Sequence, residues 1–249
     1  MVLAMPYNGS IDYMYHLHIK PGDIGRYVLL PGDPFRTDKI AERLSEARLV
    51  AHNREHKTWT GYLDGERVSV TSTGMGSPSA AIAVEELVRS GAKTLIRIGT
   101  AGPVCDVAKN ADVDGVIAMA SVRDEGTSCQ YIPPEYPAVA SLEVINALLA
   151  SAKELGYHYL AGIIQTKDAF YGEVEPATCP NSAVIRQRWE AWRSGNVLCS
   201  DMETSALFVV SSIRGCCAGS VLSLNNSIDA AIDVGCEAIR KLIKLEKGQ

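Results

Sequence analysis

Nowhere does the chain run to the roughly eighteen consecutive apolar residues that a membrane span needs. Its start, "MVLAMPYNGS", has neither the basic n-region nor the long apolar h-region of an export signal. No membrane partner is expected, and a cytoplasmic location is. The seven cysteines lack the paired spacing of a metal site, and Cys216 and Cys217 are adjacent. An odd count without a framework points to free thiols in a reducing compartment. Lys and Arg number 24 against 29 Asp and Glu, a net charge of −5. That leaves no excess of cations to follow a nucleic-acid backbone, so any bound anion should be small and locally gripped. The G-x-G-x-x-G fingerprint after a first strand is missing, as is the acidic residue beyond it, which argues against a dinucleotide-dependent oxidoreductase. No repeat or low-complexity linker divides the chain.

What is present suits one α/β domain over residues 1–249, with 47% hydrophobic and 21% charged side chains. "RYVLL" (26–30) reads as a strand stopped by Pro31-Gly32, and "PFRTDKIAERLSE" has helical spacing at Ile40 and Leu44. "KTWTGYL" and "RVSVTST" read as strands around the Asp64-Gly65 turn. "SPSAAIAVEELVRSGA" is a helix with Pro78 early and Gly91 as its stop. "TLIRIGTAG" and "DGVIAMAS" follow as strands. Helical patterns return at 141–156, 182–194, 201–214 and 229–245, with strands near 160–165 and 219–224. This alternation predicts a three-layer α/β/α fold around a central mixed, mainly parallel sheet, with ligands bound at the carboxyl ends of its strands.

Residues 52–56, "HNREH", fit the H-x-x-E-H template of one class of zinc peptidase. Two histidines four apart share an ion only on a helix, whereas this segment runs into Thr58, Trp59, Thr60 and the Asp64-Gly65 turn. Extended structure would hold His52 and His56 about 13 Å apart at about 3.3 Å per residue. No metal is expected there. Either the segment is a solvated strand edge, or Arg54 serves an anion together with two other arginines. Arg97 lies between Ile96 and Ile98, where an unpaired charge would cost roughly several kcal/mol. It either pairs with a core carboxylate or points from a strand end into an anion pocket, beside Thr100 and the amides of Gly99 to Gly102. Arg36 follows "PGDP", a turn that leads into a helix and offers unpaired N–H groups. Together these suggest a phosphate held by guanidinium groups and loop amides without a Walker lysine.

"YHLHI", "LLPGDPFR", "NREHKTW", "STGMGSPS", "IRIGTAG", "ASVRDEG", "PPEYPAVA" and "DMETSALF", in this order and at these spacings, resemble the nucleoside phosphorylase-I family, above all its bacterial uridine-cleaving members. The resemblance implies phosphate-dependent cleavage of the N-glycosidic bond, uridine and phosphate giving uracil and ribose 1-phosphate. Purine nucleosides are the alternative substrates, and a non-catalytic nucleoside-binding relative is the alternative role. It implies a phosphate site of Gly32, Arg36, Arg97 and Thr100, completed by Arg54 from a neighbouring subunit. His16, donated across the same interface, would meet the ribose 5′-hydroxyl, Met202 and Glu203 would line the sugar, and Phe170 would pack on the base. Arg97, Glu203 and Thr100 carry the catalytic roles. Glu55, Met75 and Ser79 fall where some members hold a monovalent cation such as potassium between subunits. Phosphate is a co-substrate, no organic cofactor is implied, and the expected assembly is a dimer-built homohexamer serving pyrimidine salvage.

One departure concerns the base. The Gln-x-Arg pair that reads uracil in the family is replaced by Val174 and Pro176, and neither side chain can donate a hydrogen bond. Asn226 stands where purine-type members have an aspartate and uridine-type members an arginine. Asn225, Asn226, Lys167 and Glu173 are the polar candidates to replace them.

Overall fold

The computed structural model describes residues 13–110, 112–224 and 228–248. A short apolar run forms β1 (Tyr27–Pro31), buried at every residue because both of its faces are covered. Asp33 caps the following helix, α1 (Pro34–Ala41), accepting from the Phe35 amide at 2.9 Å, with Pro34 in the first turn where its missing donor costs nothing. The helix is shorter than its apolar spacing predicted. Leu44 enters the core from the turn beyond it, and Ser45 already starts β2 (Ser45–Asn53).

Strands β3 (His56–Leu63) and β4 (Glu66–Thr71) complete an antiparallel meander with β2. Asp64 and Gly65 join the last two with φ of 49° and 77°, the left-handed pair that a two-residue hairpin requires. The chain continues through α2 (Ser77–Arg89), β5 (Thr94–Thr100), β6 (Gly102–Pro103), α3 (Asp106–Asn110), β7 (Gly115–Asp124), β8 (Ala138–Val139) and α4 (Leu142–Leu155). It ends with β9 (Tyr159–Lys167), α5 (Phe170–Val174), α6 (Ser182–Ser194), β10 (Cys199–Asp201), α7 (Thr204–Ile213), β11 (Cys217–Ser223) and α8 (Ile228–Glu246). The helix expected over 201–214 therefore gives its first residues to β10, because Ser200 and Asp201 pair with Gln165 and Thr166 of β9.

The sheet runs β2-β3-β4-β1-β5-β11-β7-β9-β10-β6, with β8 beside β7. Strands β4, β1, β5 and β11 are parallel; β7 reverses against β11, and β9 and β10 run with β7. Only Ala101 separates β5 from β6, yet β6 pairs with β10 at the far end of that path. The sheet thus closes on itself from β5 round to β6, and the carboxyl ends of β5, β9 and β10 meet at one mouth. The pleat sorts side chains into two cores. Val28, Leu30 and Leu95 pack with Val84 of α2 and Leu207 of α7, whereas Leu29, Ile96 and Ile98 pack with Leu148 of α4 and Ile239 of α8. Helices therefore cover both faces of a mixed, mainly parallel sheet.

"HNREH" is not one extended stretch. Asn53 faces His56 across the β2–β3 pair, and Arg54 and Glu55 form the turn, Arg54 with φ of 53°. The straight-strand separation of the histidines does not apply, since a hairpin folds them back. They diverge for another reason. His52 pairs with Lys57 and Asn53 with His56, so the histidines point to opposite faces. His52 is exposed, whereas His56 is buried and donates through Nδ1 to the Ser72 carbonyl at 2.9 Å. Among the described residues no group of three or more His, Cys, Asp or Glu is arranged to hold a metal, and no helix is long and apolar enough to cross a membrane.

Candidate active site

Arg97 is the middle residue of β5 and not, as expected, at a strand end; it is only 4% exposed, and its three nitrogens have three different fates. Nε donates to Asp201 Oδ2 at 2.9 Å, and Nη2 lies 2.5 Å from Glu203 Oε2. Nη1 is buried without a partner and faces Gly32, where an added Cβ would stand 3.9 Å from it. Arg97 thus pairs with core carboxylates, two of them, and also lines a cavity. Burial works against its charge, but Glu203 and Asp201 outweigh that and raise its pKa. Gly99 makes the arrangement feasible, because a Cβ there would lie 2.7 Å from Nη2.

Asp201 was not singled out from the sequence. Fully withdrawn from solvent, it accepts from Arg97, from Thr166 Oγ1 at 2.8 Å, and from the Thr204 amide and hydroxyl at 3.1 and 2.6 Å. A carboxylate so provided tolerates burial. The available signal was the need of a buried arginine for an acidic partner, and Asp201 opens the "DMETSALF" motif.

Glu203 occupies the N-cap position of α7, yet its side chain does not cap that helix. It accepts instead from the Gly76 amide at 2.6 Å and meets Arg97. Gly76, with φ 89° and ψ 154°, adopts a backbone conformation essentially reserved for glycine, and so aims its N–H at the carboxylate. Burial lifts Glu203 above the usual carboxylate range, and Arg97 offsets only part of the rise. A carboxyl with a raised pKa favours folding while protonated. Its contribution is complete in acid, below the ordinary glutamate range, and is lost as pH climbs through the raised value. Glu203→Gln should therefore gain stability relative to the unaltered protein over that climb, read as the difference in Tm at stepped pH. A flat difference would show that Glu203 titrates as it does in the unfolded chain.

Gly32, Arg36, Glu55, Met75, Thr100, Phe170, Met202 and Glu203 join Arg97 around one cavity of about 890 Å³. At one end Lys167 Nζ lies 5.7 Å from the ring centroids of both Phe170 and Trp189, and 3.1 Å from Glu173 Oε2. Gln165, fully buried and not anticipated, holds Glu173 Oε1 at 2.6 Å and Asp124 Oδ2 at 2.8 Å through one amide nitrogen. Nothing in the strand "GIIQTK" distinguishes that glutamine from an ordinary strand residue. Val174 lines the same end, and Pro176 lies in an adjoining groove. Asn225 and Asn226 lie outside the described residues.

Three anticipated residues do not line this cavity. Ser79 instead donates to Glu55 Oε1 at 2.7 Å, the leading cause holding that carboxyl below its usual range, and so ties Glu55 to the first turn of α2. Arg54 is exposed at its hairpin tip. His16 is bound to Glu86 of α2, Nδ1 to Oε1 at 2.7 Å, with its side chain 30% exposed.

The model of the phosphorylase superfamily matches residues 26–242. Uridine phosphorylase of Treponema pallidum is 47% identical over 213 residues, 86% of this chain and 82% of that one. Guanosine phosphorylase of Halorubrum lacusprofundi is 34% identical over 226 residues, 90% and 87% of the two chains. The crystal structure of uridine phosphorylase from Vibrio fischeri ES114 superposes with a TM-score of 0.82 at 30% identity, covering 94% of this chain and 99% of that one. A buried arginine fork, a carboxylate beside it and sequence likeness along almost the whole chain agree: this protein belongs to the phosphorylase superfamily.

Proposed function

We propose that the protein is a pentosyltransferase that cleaves uridine with inorganic phosphate, giving uracil and ribose 1-phosphate. The observation that carries this reading is the Arg97 fork, whose third arm faces Gly32 without a partner. Phosphate binds that arm with Arg36, the Thr100 hydroxyl and the Gly32 loop. Its oxygen attacks C1′ of the ribose as the C–N bond breaks, and the bonding pair leaves with the base. Positive charge that builds on the sugar lies between the phosphate and Glu203, which accepts from the ribose hydroxyls, while Met202 lies along the ring. Most of the acceleration is then positioning and preorganised charge.

Uracil departs as an anion, and the Lys167 ammonium beside the Phe170 ring supplies the opposing charge. Glu173, held by Gln165, fixes that ammonium and leaves its remaining hydrogens for the uracil oxygens. This arrangement replaces the absent Gln-x-Arg pair and favours uridine. The guanosine-cleaving relative at 34% identity makes purine nucleosides the second reading. The same proposal places the enzyme in the cytoplasm and in pyrimidine salvage, as a dimer-built hexamer without organic cofactor. Within each dimer Arg54 and His16 enter the neighbour's site, and Glu55, Met75 and Ser79 hold a monovalent cation such as potassium. The test is an assay of uridine, thymidine, inosine and guanosine with and without phosphate. Uracil release that needs phosphate supports the proposal; turnover confined to purines, or none, overturns it.

Arg54 adds a prediction about strain. An arginine held at φ 53° carries a backbone cost of roughly 1–3 kcal/mol that glycine would relieve. Arg54→Gly should keep or raise Tm while increasing the phosphate KM. If Arg54 serves a neighbour, mixing this variant with Glu203→Gln and reassembling should restore up to about a quarter of full activity, since half of the random dimers then contain one intact site. No recovery would place Arg54 in its own protomer's chemistry or in none.

A further inference from the structure

We infer that Glu86, buried in α2, is a positioning residue for His16: it fixes the proton on Nδ1 and turns an unprotonated Nε2 toward the 5′-hydroxyl of a nucleoside in the neighbouring protomer. The inference rests on the function proposed above and deepens it, because it names what prepares the donated histidine for that contact.

Glu86 is 5% exposed. Its carboxylate receives the His16 amide at 3.0 Å, the Leu17 amide at 2.8 Å and the His16 ring through Nδ1 at 2.7 Å. A carboxylate only accepts, so the hydrogen in the last contact belongs to Nδ1. A neutral imidazole has one N–H, which leaves Nε2 as an acceptor; the partner of one ring nitrogen sets the role of the other. The ring has little freedom to exchange those roles. Its own backbone is tied to the same carboxylate, Asn53 Nδ2 donates to the His16 carbonyl at 2.7 Å, and the Tyr15 ring meets it edge-on at 4.9 Å. The side chain nevertheless stays 30% exposed and does not line the cavity of its own protomer. The free edge therefore faces outward.

Glu85, the preceding residue, gives the contrast. It takes Arg214 as partner at 2.7 Å, a full cation at the surface. Among the described ion pairs of Glu86 the only one is with His16. Burying a carboxylate is costly unless its lone pairs are filled, and two amides alone could be served by a neutral side chain. A carboxylate adds the ability to stabilise positive charge on the imidazole as Nε2 draws the hydroxyl hydrogen toward it, the logic by which an acidic residue orients a catalytic histidine. The discrimination gained is for nucleosides that possess a 5′-hydroxyl.

Two measurements test this. Nitrogen-15 NMR of the full chain, with the His16 signals assigned by their loss in His16→Gln, should show neutral His16 protonated on Nδ1. A ring protonated on Nε2 would overturn the inference, and this reading requires no variant of Glu86 to fold. Kinetically, Glu86→Gln should raise KM for uridine roughly tenfold with kcat little changed. It should leave KM for 5′-deoxyuridine unaltered, and adding it to His16→Ala should cause no further loss on uridine. Equal losses on both nucleosides would reduce Glu86 to a structural tie and overturn the inference. Failure of the function itself looks different: the unaltered protein would show the Nδ1 proton and yet not cleave uridine with phosphate.

Discussion

Arg97→Ala is expected to lower kcat/KM for uridine by on the order of 10²–10³ and to raise the phosphate requirement on every nucleoside accepted. The change removes the unpartnered Nη1 edge, and it also strands Asp201 and Glu203, each at most 5% exposed, as two neighbouring carboxylates without their cation. Breaking a buried pair in this way costs about 3–5 kcal/mol, which for a chain of this length lowers Tm by roughly 10 °C. Arg97→Lys separates the two effects. An ammonium can neutralise the carboxylates, but its three hydrogens radiate from one nitrogen and cannot span Asp201, Glu203 and a phosphate as the planar guanidinium fork does, so it should recover stability better than activity. Steady-state rates at varied phosphate, beside thermal melts of both variants, decide the matter. If phosphate dependence is unchanged in a folded variant, Arg97 leaves the site.

This arginine also shows what could be read from sequence and what could not. A cation between Ile96 and Ile98 announces that something unusual must satisfy it. Its partner Asp201 lies 104 residues away, on a strand of three residues too short to display any period. The same limit hid β6 and β8, of two residues each, whereas β1 stands out as an unbroken apolar run and β4, α2 and α8 carry periodic patterns. At "HNREH" the sequence contains no glycine or turn dipeptide, and the chain nevertheless reverses with Arg54 in the left-handed region. Pairing of β2 with β3 imposes that turn, and no local preference foretells it. Glu203 could be placed at a helix start from its neighbours, but only the fold shows that its side chain turns to Gly76 and Arg97. Gln165 and its hold on Glu173 came from tertiary packing alone. The likeness to a known family supplied what periodicity could not, the convergence of separate motifs on one cavity.

Glu203→Gln should cost on the order of 10² or more in kcat/KM for uridine, and much less for 2′,3′-dideoxyuridine. Hydrogen bonds to a charged acceptor contribute about 1.5–3 kcal/mol each, and two ribose hydroxyls make the contact in the proposed complex. The amide has nearly the same shape but only one acceptor oxygen. Gly76 N–H and Arg97 already approach the carboxylate at 2.6 and 2.5 Å, so the glutamine must turn its NH₂ against one of these donors and offer less to the sugar. As C1′ gains positive charge the hydroxyl hydrogens become more acidic and their bonds to the carboxylate strengthen, so the loss should appear mainly in kcat. A nucleoside without those hydroxyls has no such bonds to lose. The paired comparison is thus a double-mutant cycle between side chain and substrate, and its coupling term isolates the contact from any general disturbance of the Arg97 fork. An equal loss on both nucleosides would mean that Glu203 acts by holding Arg97 in place, and the sugar would then need another anchor.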